Sequence, residues 1–266
     1  MGETARRRVL ITGAGSGLGL ALAERYAAAG CEVACVDLVA ERARAAAASL
    51  PGTGHLAFTA DVGDEAGMEA LHAEITQLWP RLDVLVNNAG IASGGGLIDT
   101  TSGEWQRVLN INLMGVVRGC RLFLPAMLDH GGGQIINTAS FAGLSGAPGI
   151  MSYGVAKAAV VALSEQLRAE VANEGVRVSV ICPAFFQTNL LQNFEGDPRM
   201  RHVAARLMEK SPDTLEAVAD RVFAAAERGR FLILPTRRGP WGWRIKRWFP
   251  EFYFRRMRTL AARRAR

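Results

Sequence analysis

Seven short runs of apolar and β-branched residues recur along this chain, and stretches with helical periodicity separate them. The runs are Val9–Thr12, Glu32–Asp37, His55–Ala60, Val84–Asn87, Gln134–Thr138, Arg177–Cys182 and Phe231–Leu234. The helical stretches are Gly17–Ala29, Ala40–Ser49, Glu65–Trp79, Ser102–Asp129, Ser152–Asn173 and Thr214–Arg228. Such alternation predicts an α/β fold, a single doubly wound parallel sheet with helices on both faces. Right-handed crossovers then place a ligand site at the carboxyl ends of the strands. Gly131–Gly133 ends the long fourth helix, and the glycine-rich stretch Ser93–Gly96 reads as a loop.

The chain's 266 residues suffice for one large domain, and no internal repeat divides it. Its 49% hydrophobic and 21% charged residues exclude a disordered chain. No apolar run reaches the roughly 18 residues of a membrane span. The charged segment before Val9 lacks the apolar stretch of a signal peptide, and Arg6 stands where Met1-Gly2 would need Ser or Thr for myristoylation. The four cysteines (31, 35, 120, 182) sit in apolar stretches without a Cys-x-x-Cys pair, as expected of buried thiols in a reducing, cytoplasmic setting. The four histidines (55, 72, 130, 202) are scattered, and no metal site is expected.

Charge divides the chain in two. Residues 237–266 hold eleven Lys/Arg and one acid, Glu251, a net of +10 against +6 for the whole chain. Residues 1–236 are therefore slightly acidic. The reading assigns 1–236 to the main domain and 237–266 to a basic amphipathic C-terminal extension.

The first strand runs directly into Thr12-Gly13-Ala14-Gly15-Ser16-Gly17-Leu18-Gly19 and then an Ala/Leu-rich helix. Glycines allow a sharp turn and close approach to a pyrophosphate, and the helix N-terminus offers free N–H groups. The spacing is G-x-x-x-G-x-G; Leu18 occupies the last glycine of strict G-x-G-x-x-G. The expected ligand is a dinucleotide bound by Gly13, Ser16, Gly17, Leu18 and Gly19 in a Rossmann-type domain. Asp37 ends the second strand, where a carboxylate can accept from ribose hydroxyls and would repel a 2′-phosphate. This favours NAD(H) over NADP(H). Arg42 and Arg44 lie nearby and could rescue NADP(H) binding, as in a carbonyl reductase, but belong to the next helix's pattern. Asp61-Val62 closes the third strand; Asp61 reads either as an acceptor for the adenine amino group or as a turn or N-cap residue. Asn87-Asn88-Ala89-Gly90 ends the fourth, as a cofactor-cleft lining or an Asn-rich turn.

Tyr153 and Lys157 stand four residues apart, so both project from one face of a helix. A phenol of pKa about 10 is a poor base at neutral pH, and a fixed ammonium nearby is expected to lower that value.

With these motifs in this order, the chain resembles the short-chain dehydrogenase/reductase family over about residues 7 to 235. The resemblance rests on Thr12-Gly13-x3-Gly17-x-Gly19, Asn87-Asn88-Ala89-Gly90, Asn112, Ser140 and Tyr153-x3-Lys157. It implies metal-free hydride transfer between a carbinol carbon and nicotinamide. Tyr153 would be the acid/base, with Lys157 lowering its pKa and holding the nicotinamide ribose. Ser140 would hold the substrate oxygen. Asn112, costly in mid-helix without a task, would anchor a proton-relaying water. Pro183 and Thr188 would lie by the nicotinamide, Thr188 touching its amide. The family's Pro-Gly is here Pro183-Ala184, so a positive φ at Ala184 would be strained.

Specificity is expected in Ser93–Asp99 and in Phe185–Met208, with Phe141, Leu144, Ile150 and Met151 between Ser140 and Tyr153. These residues are apolar, which points to a hydrophobic secondary alcohol or its ketone; mutual packing that closes a small pocket is the alternative. In the tail, Trp241, Ile245, Trp248, Phe252 and Leu260 approximate a helical stripe interrupted by Pro250. It could lie in an anionic membrane interface, cover the pocket, or pack in a homo-oligomer, dimer or tetramer. No nucleic-acid partner is expected.

Overall fold

Strand β1 (Arg8–Thr12) is formed by a run of Val9, Leu10 and Ile11 that is fully buried on both sides, as a central strand requires. The computed structural model describes residues 6–264; Met1–Ala5, with the Met1-Gly2 pair, and the tail's Ala265-Arg266 lie outside the described residues. After β1 come α1 (Gly17–Ala28), β2 (Glu32–Asp37), α2 (Ala40–Ser49), β3 (Leu56–Thr59), α3 (Glu65–Leu78) and β4 (Val84–Asn87). A two-residue strand β5 (Ser93–Gly94) precedes α4 (Ser102–Leu109), a π turn (Asn110–Met114) and α5 (Gly115–Asp129). Next are β6 (Gly133–Thr138), α6 (Phe141–Ser145), α7 (Met151–Glu170) and β7 (Val176–Ile181). A 3-10 turn (Asn189–Asn193), β8 (Glu195–Gly196), α8 (Pro198–Glu209), α9 (Leu215–Glu227), β9 (Leu232–Ile233), α10 (Gly239–Trp248) and α11 (Pro250–Arg264) complete the chain.

Seven strands form one sheet in the order β3-β2-β1-β4-β6-β7-β9, every pairing parallel. Leu10 stands opposite Ala34 on β2 and Leu85 on β4. Alternate residues face opposite helices. Val9, Ile11, Val33 and Val86 meet Leu22 and Tyr26 of α1 and Val222 of α9. Leu10, Val36, Leu85 and Ile135 meet Met68 of α3, Phe123 of α5 and Val160 of α7. Each such side chain contributes about 1.5–3 kcal/mol of burial. The strand order reverses between β1 and β4, so the connections that leave their carboxyl ends diverge. The crevice they leave is where a doubly wound sheet binds its ligand.

The seven predicted strands are present with ends shifted by no more than two residues. Four segments differ, the first being Ser93–Gly96, read as a loop, in which Ser93–Gly94 form β5. The predicted helix Ser102–Asp129 contains the π turn. By length and composition this 28-residue run could cross a membrane, contrary to the expectation that no such run exists. Its Val116, Cys120, Phe123 and Met127 instead pack on the sheet. The stretch read as a specificity loop, 185–208, holds β8 and α8, and β8 pairs with β5. Pro250 starts α11 rather than merely interrupting a stripe, a position where its missing N–H costs nothing.

Candidate active site

At the first turn the backbone itself makes the site. Gly13 has φ +67, and a Cβ on Gly19 would run into the Gly13 carbonyl, so the loop and α1 touch backbone to backbone. Ser16 caps α1 without a side-chain bond. The N–H groups of Gly17, Leu18 and Gly19, which no helical carbonyl can reach, are left for an outside acceptor. The Leu18 side chain packs in the core, so this residue can contribute only through its backbone. Thr12 ties the loop to β4: its hydroxyl accepts the N–H groups of Asn88 (3.0 Å) and Ala89 (3.1 Å). Asn88 Nδ2 donates back to the Thr12 carbonyl at 3.1 Å. A cradle with this anion-facing helix end suits the pyrophosphate of a dinucleotide.

Asp37 is buried at the end of β2. Its Oδ2 accepts the Gly15 N–H and its Oδ1 the Val39 N–H, both at 3.0 Å. Arg42 of α2 faces it, with Nε 3.2 Å from Oδ1. The sequence reading placed Arg42 on the helix pattern; the side chain reaches back to the carboxylate. Asp61 is exposed and accepts the Gly63 N–H at 2.8 Å, while the N-cap of α3 is Asp64, bonded to the Gly67 N–H at 3.0 Å. Of the roles considered for Asp61, the turn is made here and the cap is not. Val62 is buried, and its carbonyl accepts from Arg118 at 3.1 Å. Arg118, which nothing in the sequence singled out, also bonds Glu65 at 2.6 Å and Asn110 Oδ1 at 2.9 Å. It joins the end of β3 to the π turn.

That π turn presents Asn112, which is fully buried. Both ends of its amide grip Ile91: Oδ1 accepts the N–H at 3.0 Å and Nδ2 donates to the carbonyl at 2.9 Å. Gly90 beside it is so close that a Cβ there would lie 2.6 Å from Asn112 Oδ1 and 3.4 Å from Lys157 Nζ. π turns inside α-helices recur at functional sites, where they re-aim side chains.

Tyr153 and Lys157 share one face of the first turns of α7, with Nζ 5.9 Å from the phenol ring centre. Lys157 is buried and donates to the Thr138 carbonyl at 2.9 Å. Burial lowers its pKa to about 8. Burial also raises the Tyr153 pKa, and a hydrogen bond with Ser140 only partly opposes this. In the protein alone desolvation thus holds the phenol above its ordinary value, the direction opposite to the lowering expected from the Lys157 spacing. Ser140 is the N-cap of α6; its Oγ accepts the Ala142 N–H at 3.1 Å and lies 3.5 Å from the Pro183 carbonyl. Ser140, Tyr153, Lys157 and Asn112 thus surround the carboxyl ends of β4 and β6.

After β7 no residue needs a strained backbone. No described residue other than glycine has positive φ, so Ala184 escapes the expected penalty; its N–H donates to Thr236 Oγ1 at 3.2 Å. Thr188 reaches the first turn, where a Cβ on Gly17 would stand 3.1 Å from its Oγ1. Gly17, Thr188, Met208 and Thr214 help line a cleft of about 580 Å³. The two expected specificity segments meet: Phe194 and Met200 lie over Gly94. Phe186 is an exception, being part of the core. Leu97, Ile98, Phe185 and Met151 are exposed.

The tail closes on α6. Lys246 Nζ donates to the Leu144 carbonyl at 2.5 Å, Gly242 lies against the Phe141 ring, and Tyr253 hydrogen-bonds Ser145. The sequence reading missed this clamp, because only a lone lysine in a basic run marks it. Among the described residues the four cysteines are free and buried, and no cluster of His, Cys, Asp or Glu could hold a metal.

Comparison with known proteins agrees with this fold. Residues 7–199 match the model of the short chain dehydrogenase family. Over 234 residues the chain is 38% identical to the 2-(R)-hydroxypropyl-CoM dehydrogenase of Xanthobacter autotrophicus, covering 85% of this chain and 94% of that one. A short chain dehydrogenase/reductase from Burkholderia phymatum, solved in complex with NAD, superposes with a TM-score of 0.87 at 30% identity, covering 95% and 96% of the two chains. One from Sphingobium yanoikuyae, in complex with NADPH, does so with a TM-score of 0.75 at 28% identity, covering 86% and 87%.

Proposed function

The chain belongs to the short-chain dehydrogenase/reductase family of oxidoreductases, which act on CH–OH groups with a nicotinamide dinucleotide, and from that premise we propose an NAD(H)-dependent enzyme that interconverts a hydrophobic secondary alcohol and its ketone. The observation that carries this reading is the convergence of Tyr153, Ser140 and Lys157 at the carboxyl edge of the sheet, beside the glycine cradle.

In this reading Gly13, Ser16, Gly17, Leu18 and Gly19 hold the pyrophosphate and Asp37 the adenosine ribose. Asp61 and Val62 border the adenine, and Asn88, Ala89 and Gly90 line the cleft. Tyr153 and Lys157 hold the nicotinamide ribose, with Pro183 and Thr188 at the amide. A bound dinucleotide supplies the carbon that accepts or gives the hydride and, when oxidised, a positive charge. Tyr153 Oη takes the proton of the alcohol on oxidation and returns it to the oxygen on reduction. Ser140 Oγ holds that oxygen. Lys157 stabilises the phenolate once it forms, and the Asn112 region passes the proton outward. Positioned acid/base chemistry of this kind contributes about 10²–10⁴ in rate.

The apolar residues Phe185, Leu97 and Met151, exposed near the carboxyl edge, support an apolar substrate. Residues 1–236 form the catalytic domain. Residues 237–266 form a distinct basic segment that reaches a membrane surface, and the enzyme works in the cytoplasm as a homo-oligomer. A second reading, an NADP(H)-dependent carbonyl reductase, draws on Arg42, whose charge offsets that of Asp37.

One panel tests both. We expect kcat/KM to be higher with NAD than with NADP and higher for apolar secondary alcohols than for small diols. A preference for NADP would favour the second reading, and a preference for diols would overturn the substrate class.

A further inference from the structure

Helices α10 and α11 have two unlike faces. The inner face is fixed to α6 by Gly242, Lys246 and Tyr253. On the outer face, away from these contacts, Trp241 and Trp248 share one side of α10 and Phe249 and Phe252 follow, all exposed, while Phe254, also exposed, borders the cavity between α11 and Ser145; the five are each between 53% and 74% exposed. Among the described residues these are the exposed Trp and Phe rings, Phe185 excepted. Rings left in water at this density are an unfavourable arrangement unless something covers them.

The charge on the same helices says what covers them. Eleven of the 30 residues from Arg237 to Arg266 are basic and one is acidic. Arg247 stacks on Trp243 and Arg256 on Phe252, each 5.5 Å from the ring centre, so cation and ring occupy one layer. A second copy presenting the same face would bring like charge against like charge. An anionic lipid surface offers both requirements together: an apolar layer for the rings and negative headgroups for the guanidinium groups.

We infer that the outer face of α10 and α11 docks the protein on an anionic lipid surface. This rests on the reading of residues 237–266 as a membrane-reaching segment and names the surface they reach. The inner face sets the orientation. Through α6 it holds the segment that begins at Ser140, so the docked enzyme keeps its substrate loop at a fixed distance from the lipid. An apolar alcohol dissolved in that lipid would have a short route to Tyr153.

The test is co-sedimentation of the full chain with phosphatidylcholine vesicles, and with vesicles in which about a third of the lipid is phosphatidylserine. Partition should be at least tenfold stronger on the anionic vesicles and fall steeply as salt rises. Two variants separate the contributions, Trp248→Ser/Phe249→Ser/Phe252→Ser and Arg255→Glu/Arg256→Glu. Each should lose at least tenfold in partition while binding NADH as the parent does, which establishes that it is folded. Equal partition on both vesicle types, or unchanged partition of both variants, overturns the inference. A smaller assembly for the aromatic variant would also overturn it, by assigning the face to contact between copies. So would a single-stranded RNA oligomer that displaces the protein from vesicles at equal charge. Failure of the parent to bind NADH would instead strike the dinucleotide reading and leave the lipid result standing.

Discussion

Around Gly13–Gly19 the shape of the molecule is made by backbone. A glycine at positive φ, a helix end that touches a carbonyl and a threonine hydroxyl that gathers two N–H groups leave no freedom to the loop. Between Gly239 and Arg264 the reverse holds. The helices are held by a few side-chain contacts to α6, and their outer face carries large rings in solvent. The cradle is tuned for a ligand common to a whole family, whereas the far end of the chain is shaped by side chains particular to it. Backbone sites tolerate almost no substitution, while side-chain surfaces change by degrees. That difference orders the expected effects.

Of the two regions, the larger effect belongs to the cradle. Gly19→Ala drives a methyl into the Gly13 carbonyl, a strain of about 1–3 kcal/mol. NADH affinity measured by fluorescence titration should fall about ten- to hundredfold, whereas Trp248→Ser on the outer face should leave it within about twofold. Equal effects would break the contrast.

Next comes the buried ammonium between the two regions. Lys157 titrates near 8 in the folded protein, below its usual 10.5. Both folded and unfolded chains are protonated below pH 8, so the cost of burying the charge is fully present there. As pH rises from 8 to 10.5 the unfolded chain holds the extra proton, and stability from this group increases. Lys157→Met should therefore stabilise the cofactor-free protein at pH 7 by about 1–3 kcal/mol, read as denaturant midpoints. The gain should shrink between pH 8 and 10.5.

Asp37→Ala frees Arg42 of its carboxylate. The NAD/NADP ratio of kcat/KM should move toward NADP by about tenfold, about 1.4 kcal/mol. An unmoved ratio would mean that Asp37 serves only the Gly15 and Val39 turns.

A smaller effect tests whether the tail reaches the site at all. Lys246→Ala removes a donor from the last turn of α6, about 1 kcal/mol. KM for the alcohol should rise about three- to tenfold with kcat nearly unchanged, and Lys246→Arg should restore it. A loss confined to thermal stability would reduce the clamp to packing.

How much of this the sequence announced follows the same division. β1, β2 and β4 were legible because continuous apolar runs buried on both faces leave a strong signal, and the glycine loop because few residues adopt its conformation. Tyr153, Lys157, Ser140 and Asn112 were named from their motifs, and the fold brings them to one edge. The π turn was hidden, since a single added residue within the long, largely apolar stretch Ser102–Asp129 leaves no mark in residue type. Helix α8 was missed for another reason: Met200, Val203 and Leu207 do recur at helical spacing, but the run was read as loop residues lining a pocket. Arg42 was assigned to the helix pattern, and Arg118 drew no notice, because periodicity gives a face but not the reach of a long side chain. The phenol's environment was misjudged because spacing reports that a cation is near, not how much water both groups lose.

The central claim is that Tyr153 moves the proton of a reacting alcohol at the carboxyl edge of the sheet. Tyr153→Phe keeps the ring and removes one oxygen. With NADH binding intact, turnover of an apolar secondary alcohol should fall by at least about a hundredfold. A fall of less than about tenfold, with the cofactor still bound, would contradict the account.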